Sequence, residues 1–245
     1  MGNVIVVNPE KLKILKEKFA EGGAEKMHVV ADFDSTLTYN SIDGEKNPSI
    51  ISVLRDGNYL TPDYAPKAQA LYEKYAPFEN DTSFSPEKRK QKMEEWWMTH
   101  LELLLRSGLE RKDVENVVES GKLRLREGAE QFFATLKNTN IPLVIISSSG
   151  LGKDAIEIFL RNRNLLTENV YVVSNTFVWD ENGKAVDYKK PIIHSLNKDE
   201  TVLKDFPFFN KIAGRKNVLL LGDSLGDAKM AEGFDYENLL KICFA

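Results

Sequence analysis

The run His28-Val29-Val30-Ala31 ends directly in Asp32-Phe33-Asp34-Ser35-Thr36-Leu37-Thr38. A short, valine-rich apolar run reads as a strand buried on both faces. The two carboxylates at its end therefore stand at the mouth of a sheet, where open α/β folds bind their ligands. Chemistry gives the spacing a meaning. One aspartate can attack phosphorus, while the second can hand a proton to a leaving alcohol and then take one from water. Carboxylates this close repel each other, so the pattern calls for a divalent cation, and hard oxygen ligands suit Mg²⁺. An EF-hand loop competes, but it requires glycine at its sixth position and glutamate at its twelfth. Leu37 and Asp43 stand there instead. For a lone Asp-x-Asp, solvated aspartates on a plain turn are an equally good reading.

The rest of the chain supplies further pieces in the order the chemistry requires. A second apolar strand, Leu143-Val144-Ile145-Ile146, ends in Ser147-Ser148-Ser149-Gly150 before an amphipathic helix from about Lys153 to Arg161. Hydroxyls and free N–H groups at a helix N-terminus form a phosphate cradle. Lys198 can neutralise phosphate charge. A third strand, Val218-Leu219-Leu220-Leu221, ends in Gly222-Asp223-Ser224-Leu225-Gly226-Asp227. Asp223 and Asp227 fit a metal ligand plus a supporting carboxylate. Each piece alone has a bland alternative: a capped serine turn, or a solvated lysine.

Asp32-x-Asp34-x-Thr36, a strand-end serine, a lysine and Gly-Asp-x-x-x-Asp together resemble the haloacid dehalogenase (HAD) superfamily of phosphohydrolases. The resemblance narrows to the pyrimidine 5′-nucleotidase family, also called cytosolic 5′-nucleotidase III. It rests on Leu125-x-Glu127-Gly128-x-x-x-Phe132-Phe133, Ser148-x-Gly150-x-Gly152, Val172-Val173-Ser174-Asn175, Ile193-His194-x-x-Asn197-Lys198 and Leu220-Leu221-Gly222-Asp223-Ser224-x-Gly226-Asp227-x-x-Met230-Ala231. The resemblance implies Asp32 as nucleophile and Asp34 as general acid/base. It implies Mg²⁺ held by the Asp32 carboxylate, the Asp34 backbone carbonyl and Asp223, with Asp227 in support. Thr36, Ser148 and Lys198 would position the phosphoryl group, helped by backbone N–H groups at Ser149 and Gly150. The serine triplet lets that alignment slip by one residue. Positioning and charge stabilisation are what phosphoryl transfer chiefly needs.

Between the first two strands the α/β pattern lapses. Thr61-Pro62 opens a helix to about Tyr75, Ser85-Pro86 opens a long one ending near Ser107-Gly108, and a third covers about Lys112 to Ser120. Proline just after a hydroxyl cap is a helix-start signal. An insertion here reads as a helical cap that excludes water and holds the unreacting part of a substrate. The division expected is a catalytic core over 1–44 and 122–245, with a cap over 45–121. An opening helix over Pro9 to Ala20, another over Glu127 to Leu136, and an Asn182-Gly183 hairpin on the core complete the pattern.

The cap is where substrate choice is expected. Aromatic faces stack on nucleobases, and a carboxylate accepts hydrogen bonds from base N–H groups. Glu79 and Trp97 match base-contacting positions of the family, although Met93, Trp97, Leu101 and Leu104 also make a helical packing stripe. Trp96 reads as packing, and His28, His100 and His194 as structural residues. The lone cysteine, Cys243, excludes an intrachain disulfide and reads as a buried thiol. The formal net charge of −4, without a basic stripe, argues against a nucleic-acid-coating surface. No run approaches membrane-spanning length, so a cytoplasmic protein is expected; a monomer is the expected state.

The expectation is an α/β HAD-like Rossmannoid core with a parallel sheet and an inserted helical cap. It would hydrolyse nucleoside 5′-monophosphates, pyrimidine ones first, with Mg²⁺ and through an aspartyl-phosphate able to pass its phosphoryl group to another nucleoside. A phosphoserine phosphatase-like enzyme is the alternative within hydrolases, since Asp32-Phe33-Asp34-Ser35-Thr36 also resembles that loop. A non-catalytic nucleotide-binding protein is the alternative outside them. The tandem Trp96-Trp97 leaves room for a purine, including a methylated one.

Overall fold

The computed structural model describes residues 4–42, 44–198, 203–204, 206–232 and 235–244. Asp43, which weighed against the EF-hand, lies outside them. In chain order the elements are α1 (Pro9–Gly22), β1 (Met27–Ala31), the short β2 (Ser41–Ile42) and β3 (Glu45–Lys46), α2 (Ile50–Asp56), α3 (Tyr64–Asn80), α4 (Pro86–Arg106), α5 (Arg111–Glu119) and α6 (Ala129–Asn138). They continue as β4 (Leu143–Ile146), α7 (Gly152–Arg161), β5 (Val170–Val173), β6 (Phe177–Trp179), β7 (Ala185–Tyr188), α8 (Phe209–Ile212), β8 (Asn217–Gly222) and β9 (Asn238–Cys243).

Five strands form one parallel sheet in the order β5-β4-β1-β8-β9. β1 lies at its centre, so its backbone is paired on both edges, with Val30 opposite Val144 on one side and Leu220 on the other. Strand side chains alternate between faces, and this sorts the apolar runs into two cores. Val29, Ala31, Leu143, Ile145 and Val172 face one core, which also takes the buried side chains of α2, α4, α5 and α7. Val30, Val144, Ile146, Val173, Val218 and Leu220 face the other, with Ile212 of α8 and Met230. Both faces are covered, which is why these strands read as continuous apolar runs rather than alternating ones.

Local signals set the helix starts. Asn8 Oδ1 accepts from the Lys11 N–H at 2.9 Å ahead of Pro9, and Ser85 Oγ accepts from the Lys88 N–H at 3.3 Å ahead of Pro86. These side chains satisfy donors that a helix N-terminus leaves free. α3 departs from expectation: it starts at Tyr64, after Thr61-Pro62, and runs beyond Tyr75 through Pro77 to Asn80. α2 was not anticipated, because seven residues leave too little periodicity to read. The Asn182-Gly183 hairpin forms β6–β7 and is pinned to the α4–α5 connection, with the Arg111 N–H donating to Gly183 O at 2.8 Å and the Ala185 N–H to Leu109 O at 2.9 Å.

The C-terminal segment corrects an expectation. Cys243 is exposed rather than buried. Residues Asn238–Cys243 form the edge strand β9, which has β8 on one side only, and its last three residues are open to solvent. An apolar run there marked a strand edge, not a core.

Candidate active site

The site assembles where β1 and β8, neighbours in the sheet, reach their C-terminal ends. The Asp32 N–H donates to Leu221 O at 3.0 Å, which continues the pairing one step past β1 and places Asp32 beside the β8 end. Phe33 is fully buried and meets Phe159 of α7 edge-on at 5.5 Å, anchoring the loop between the two aspartates. Asp32, Asp223 and Asp227 bring one carboxylate oxygen each within 4.8 Å of one another, Asp32 and Asp227 buried and Asp223 exposed. Gly222 is required for this approach: a Cβ there would stand 2.5 Å from Asp227 Cβ.

Lys198 is buried inside the cluster, its Nζ donating to Asp32 Oδ1 at 2.5 Å and to Asp227 Oδ1 at 3.1 Å. Asp227 is further held through Oδ2, which accepts from the Ser224 N–H at 3.0 Å and Ser224 Oγ at 2.7 Å. Thr36 Oγ1 donates to Asp223 Oδ1 at 3.4 Å. The Asp223 N–H donates to Asp227 Oδ2 at 3.3 Å, so Asp32, Thr36, Lys198, Asp223 and Asp227, from three separate stretches of the chain, form one bonded network. Asp34 sits apart from it: its Oδ1 accepts from the Ile50 N–H at 3.3 Å, at the start of α2.

Burial dominates the electrostatics. It pushes Asp32 up to about 7, against the opposing pull of the Lys198 ammonium. It pushes Asp34 up to about 6, opposed by the Ile50 N–H. Burial pulls Lys198 down, but the Asp32 and Asp227 carboxylates outweigh it, so the ammonium stays above its ordinary range. Three carboxylates around one ammonium leave an excess of negative charge in a low-dielectric pocket. The donors are all hard oxygens, the set that divalent cations such as Mg²⁺ prefer. The residues therefore fit a divalent metal.

The serine loop is partly used internally. Ser147 Oγ accepts from the Ser149 N–H at 3.1 Å, while the Ser149 hydroxyl is buried with no partner among the described residues. Ser148 is half-buried, and Gly150 lies under α2, where a Cβ would fall 2.8 Å from the Ile51 side chain. Ser147 and the Ile50 N–H were not singled out in the sequence. The first was masked by the triplet, and the second is a backbone group on an unanticipated helix.

The expected base-reading residues lie on α3 and α4. Trp97 is half-buried, packs against the main core, stacks on Trp96 at 6.0 Å and tilts against His100 at 5.9 Å. Trp96 also stacks on Tyr75 at 6.2 Å. His100 is buried and shares a 3.2 Å hydrogen bond with Tyr64 Oη. Glu79 is half-exposed in the last turn of α3, where Arg89 binds its backbone carbonyl and that of Phe78. Among the described residues, no hydrogen bond or ring contact joins Glu79 or Trp97 to the carboxylate cluster.

A parallel sheet with paired strand-end carboxylates around a buried lysine defines a phosphatase of the HAD-like fold. Phosphoserine phosphatase in its apo form matches it with a TM-score of 0.51 at 19% identity, over 89% of this chain and 86% of that one, a likeness of fold. The pattern of the family described as Pyrimidine 5′-nucleotidase (UMPH-1) matches residues 35–245. The 7-methylguanosine phosphate-specific 5′-nucleotidase A of Xenopus laevis is 36% identical over 238 residues, covering 97% of this chain and 81% of the relative. The Homo sapiens 7-methylguanosine phosphate-specific 5′-nucleotidase is 32% identical over 242 residues, covering 98% and 80%. The crystal structure of cytosolic 5′-nucleotidase IIIB (cN-IIIB) bound to cytidine matches with a TM-score of 0.84 at 29% identity, over 98% of this chain and 79% of that one. The chain belongs to the pyrimidine 5′-nucleotidase family and is an enzyme of the 5′-nucleotidase type. No helix among the described residues is long and apolar enough to cross a membrane.

Proposed function

We propose that the chain hydrolyses nucleoside 5′-monophosphates, pyrimidine ones among them, through an aspartyl-phosphate on Asp32. The observation that carries this reading is the buried Lys198 bridging Asp32 and Asp227 at the strand ends. In the first step the Asp32 carboxylate attacks phosphorus, the P–O5′ bond breaks, and Asp34 gives its proton to the leaving oxygen. In the second, Asp34 takes a proton from water as that water attacks phosphorus, releasing phosphate and restoring Asp32; a second nucleoside in place of water gives phosphotransfer. An acid lifted to about 6 suits such alternation near neutral pH. Mg²⁺ held by Asp32, Asp223, the Asp34 carbonyl and, in support, Asp227 would neutralise phosphoryl charge. Lys198, Thr36, Ser148 and the Gly150 N–H hold the equatorial oxygens, and the Ser149 N–H joins them by leaving Ser147 Oγ.

In this reading, segment 45–121 is a cap over the core of 1–44 and 122–245, and Glu79 and Trp97 read the base. The cytidine bound to the structural relative supports a pyrimidine. A second reading, 7-methylguanine, is supported by the named specificity of the sequence relatives and by the stacked Trp96–Trp97 pair. Phosphate release from cytidine, uridine, guanosine and 7-methylguanosine 5′-monophosphates, with Mg²⁺ and with chelator, tests the proposal. Release is expected only with the metal. Equal rates on every nucleotide and on a baseless phosphomonoester would overturn the base-reading cap.

A further inference from the structure

Arg126 stands in the stretch leading into α6, with no role in the chemistry above. Its guanidinium donates from Nη2 to Ser35 O at 2.6 Å and from Nε to Thr36 O at 2.9 Å, two successive carbonyls of the loop that carries Asp32 and Asp34. Its own N–H donates to Leu37 O at 2.9 Å, and the Tyr39 N–H donates to Arg124 O at 3.0 Å. Residues 124–126 thus run antiparallel to the loop as it leaves the site, paired at Thr38 and Leu125.

Two further observations give these contacts a purpose. Ser35 lies at φ 62°, the left-handed region that a side chain disfavours. Such a residue persists only where its surroundings over-determine it. Here the Ser35 N–H is held by Thr38 Oγ1 at 3.0 Å and its carbonyl by Arg126. The guanidinium also lies 4.6 Å from the Phe244 ring, and the Phe244 N–H donates to Gly222 O at 2.8 Å, next to Asp223. Arg126 therefore binds the loop that carries Asp32 and Asp34 directly and meets, in Phe244, a residue bonded to the loop that carries Asp223.

We propose that Arg126 is a positioning residue for the 5′-nucleotidase reaction, clamping the Ser35 and Thr36 carbonyls so that Asp32 and Asp34 face the phosphoryl group in register with Asp223. A trans peptide carries its C=O and N–H in opposite directions. Fixing both carbonyls on one rigid fork therefore fixes the peptide planes from Ser35 to Leu37, while Thr38 Oγ1, holding the Ser35 N–H, fixes the plane between Asp34 and Ser35. A lysine ammonium cannot span two carbonyls in that geometry.

The role rests on Asp32 and Asp34 acting as proposed, and the test separates the two claims. Arg126→Lys and Arg126→Ala are assayed for kcat and KM on a nucleoside monophosphate with Mg²⁺, beside circular dichroism and thermal midpoints. Misplacing reacting groups by about an ångström costs up to roughly a hundredfold, so kcat is expected to fall about tenfold to a hundredfold with KM little changed. Millimolar guanidinium is expected to restore part of the Arg126→Ala rate. If the alanine variant fails to fold, the lysine variant, which keeps the stem and the charge, still decides. Wild-type kcat in folded Arg126→Lys overturns the clamp, as does a loss matched by a collapse of secondary structure. Asp32→Asn is run in parallel: activity there overturns the nucleophile itself, whatever Arg126 does.

Discussion

The strand-end cluster and the aromatic group on α3 and α4 hold their side chains by different physics. In the cluster, every carboxylate is fixed by directional bonds: Asp32 and Asp227 by Lys198, Asp227 again by Ser224 and Asp223 by Thr36; beside the cluster, Asp34 is fixed by the Ile50 N–H. On the helices, Trp96 and Trp97 are held by ring contacts to each other and to Tyr75 and His100, of which only the last two are also hydrogen-bonded, to Glu95 and Tyr64; among the described residues Glu79 is bonded through its backbone alone. A buried charge in a directional network tolerates no substitution, because removing one partner leaves the others uncompensated. Stacked rings tolerate movement and changes of partner. Under the proposed function, chemistry would be committed at the sheet, while selectivity would be left to a surface that a modest change can retune.

The largest break in that comparison is Asp32→Asn. Activity is expected to fall on the order of a thousandfold or more, as for removal of a covalent nucleophile. Steady-state phosphate release with saturating Mg²⁺ measures it, and near-normal turnover would end the covalent mechanism. Asp34→Asn comes next and should split the reaction. A substrate whose leaving group needs no proton should still label the enzyme, and the label should persist because no base activates water. A rapid-quench experiment in which no labelled enzyme ever appears removes Asp34 from that role.

Trp97→Ala sharpens the other side. A stacked base contributes about 1–3 kcal/mol, so kcat/KM on nucleotides should drop roughly fivefold to a hundredfold while a baseless phosphomonoester is spared. Trp97 also packs against the core. Parallel losses on all substrates with a lowered thermal midpoint would make it a packing residue alone. The smallest effect is expected at His100. Burial lowers it from 6.5 to about 4, so the unfolded chain binds a proton at mildly acidic pH that the folded chain refuses. Stability should therefore fall as pH drops below 6.5, by about 1.4 kcal/mol at pH 5.5, and level off below about 4. Denaturant midpoints of wild type and His100→Gln across that window test it. An unchanged pH slope in the variant rules out His100 as a source.

Much of this was legible before the fold. The valine-rich run before Asp32, the serine-ended strand at Leu143–Ile146 and the Leu-rich strand before Asp223 all proved to be neighbouring parallel strands. Ser85-Pro86 opened α4 where expected. Short elements were missed: α2, with too few residues for a period to show, and β9, whose apolar residues lie on an edge rather than in the core, leaving Cys243 exposed.

The sequence by itself determined which polar residues stand at each strand end. Burial on both faces writes an uninterrupted apolar run, and the polar residue that breaks it must lie where the strand emerges. Tertiary structure alone decided which of those ends meet. Strand order put β8 beside β1, so Asp223 and Asp227 reach Asp32, and the chain after the hairpin returned Lys198 between them. Nothing local to Arg126 marked it either. Its partners are carbonyls, which every residue carries, so only the folded chain singles out Ser35 and Thr36.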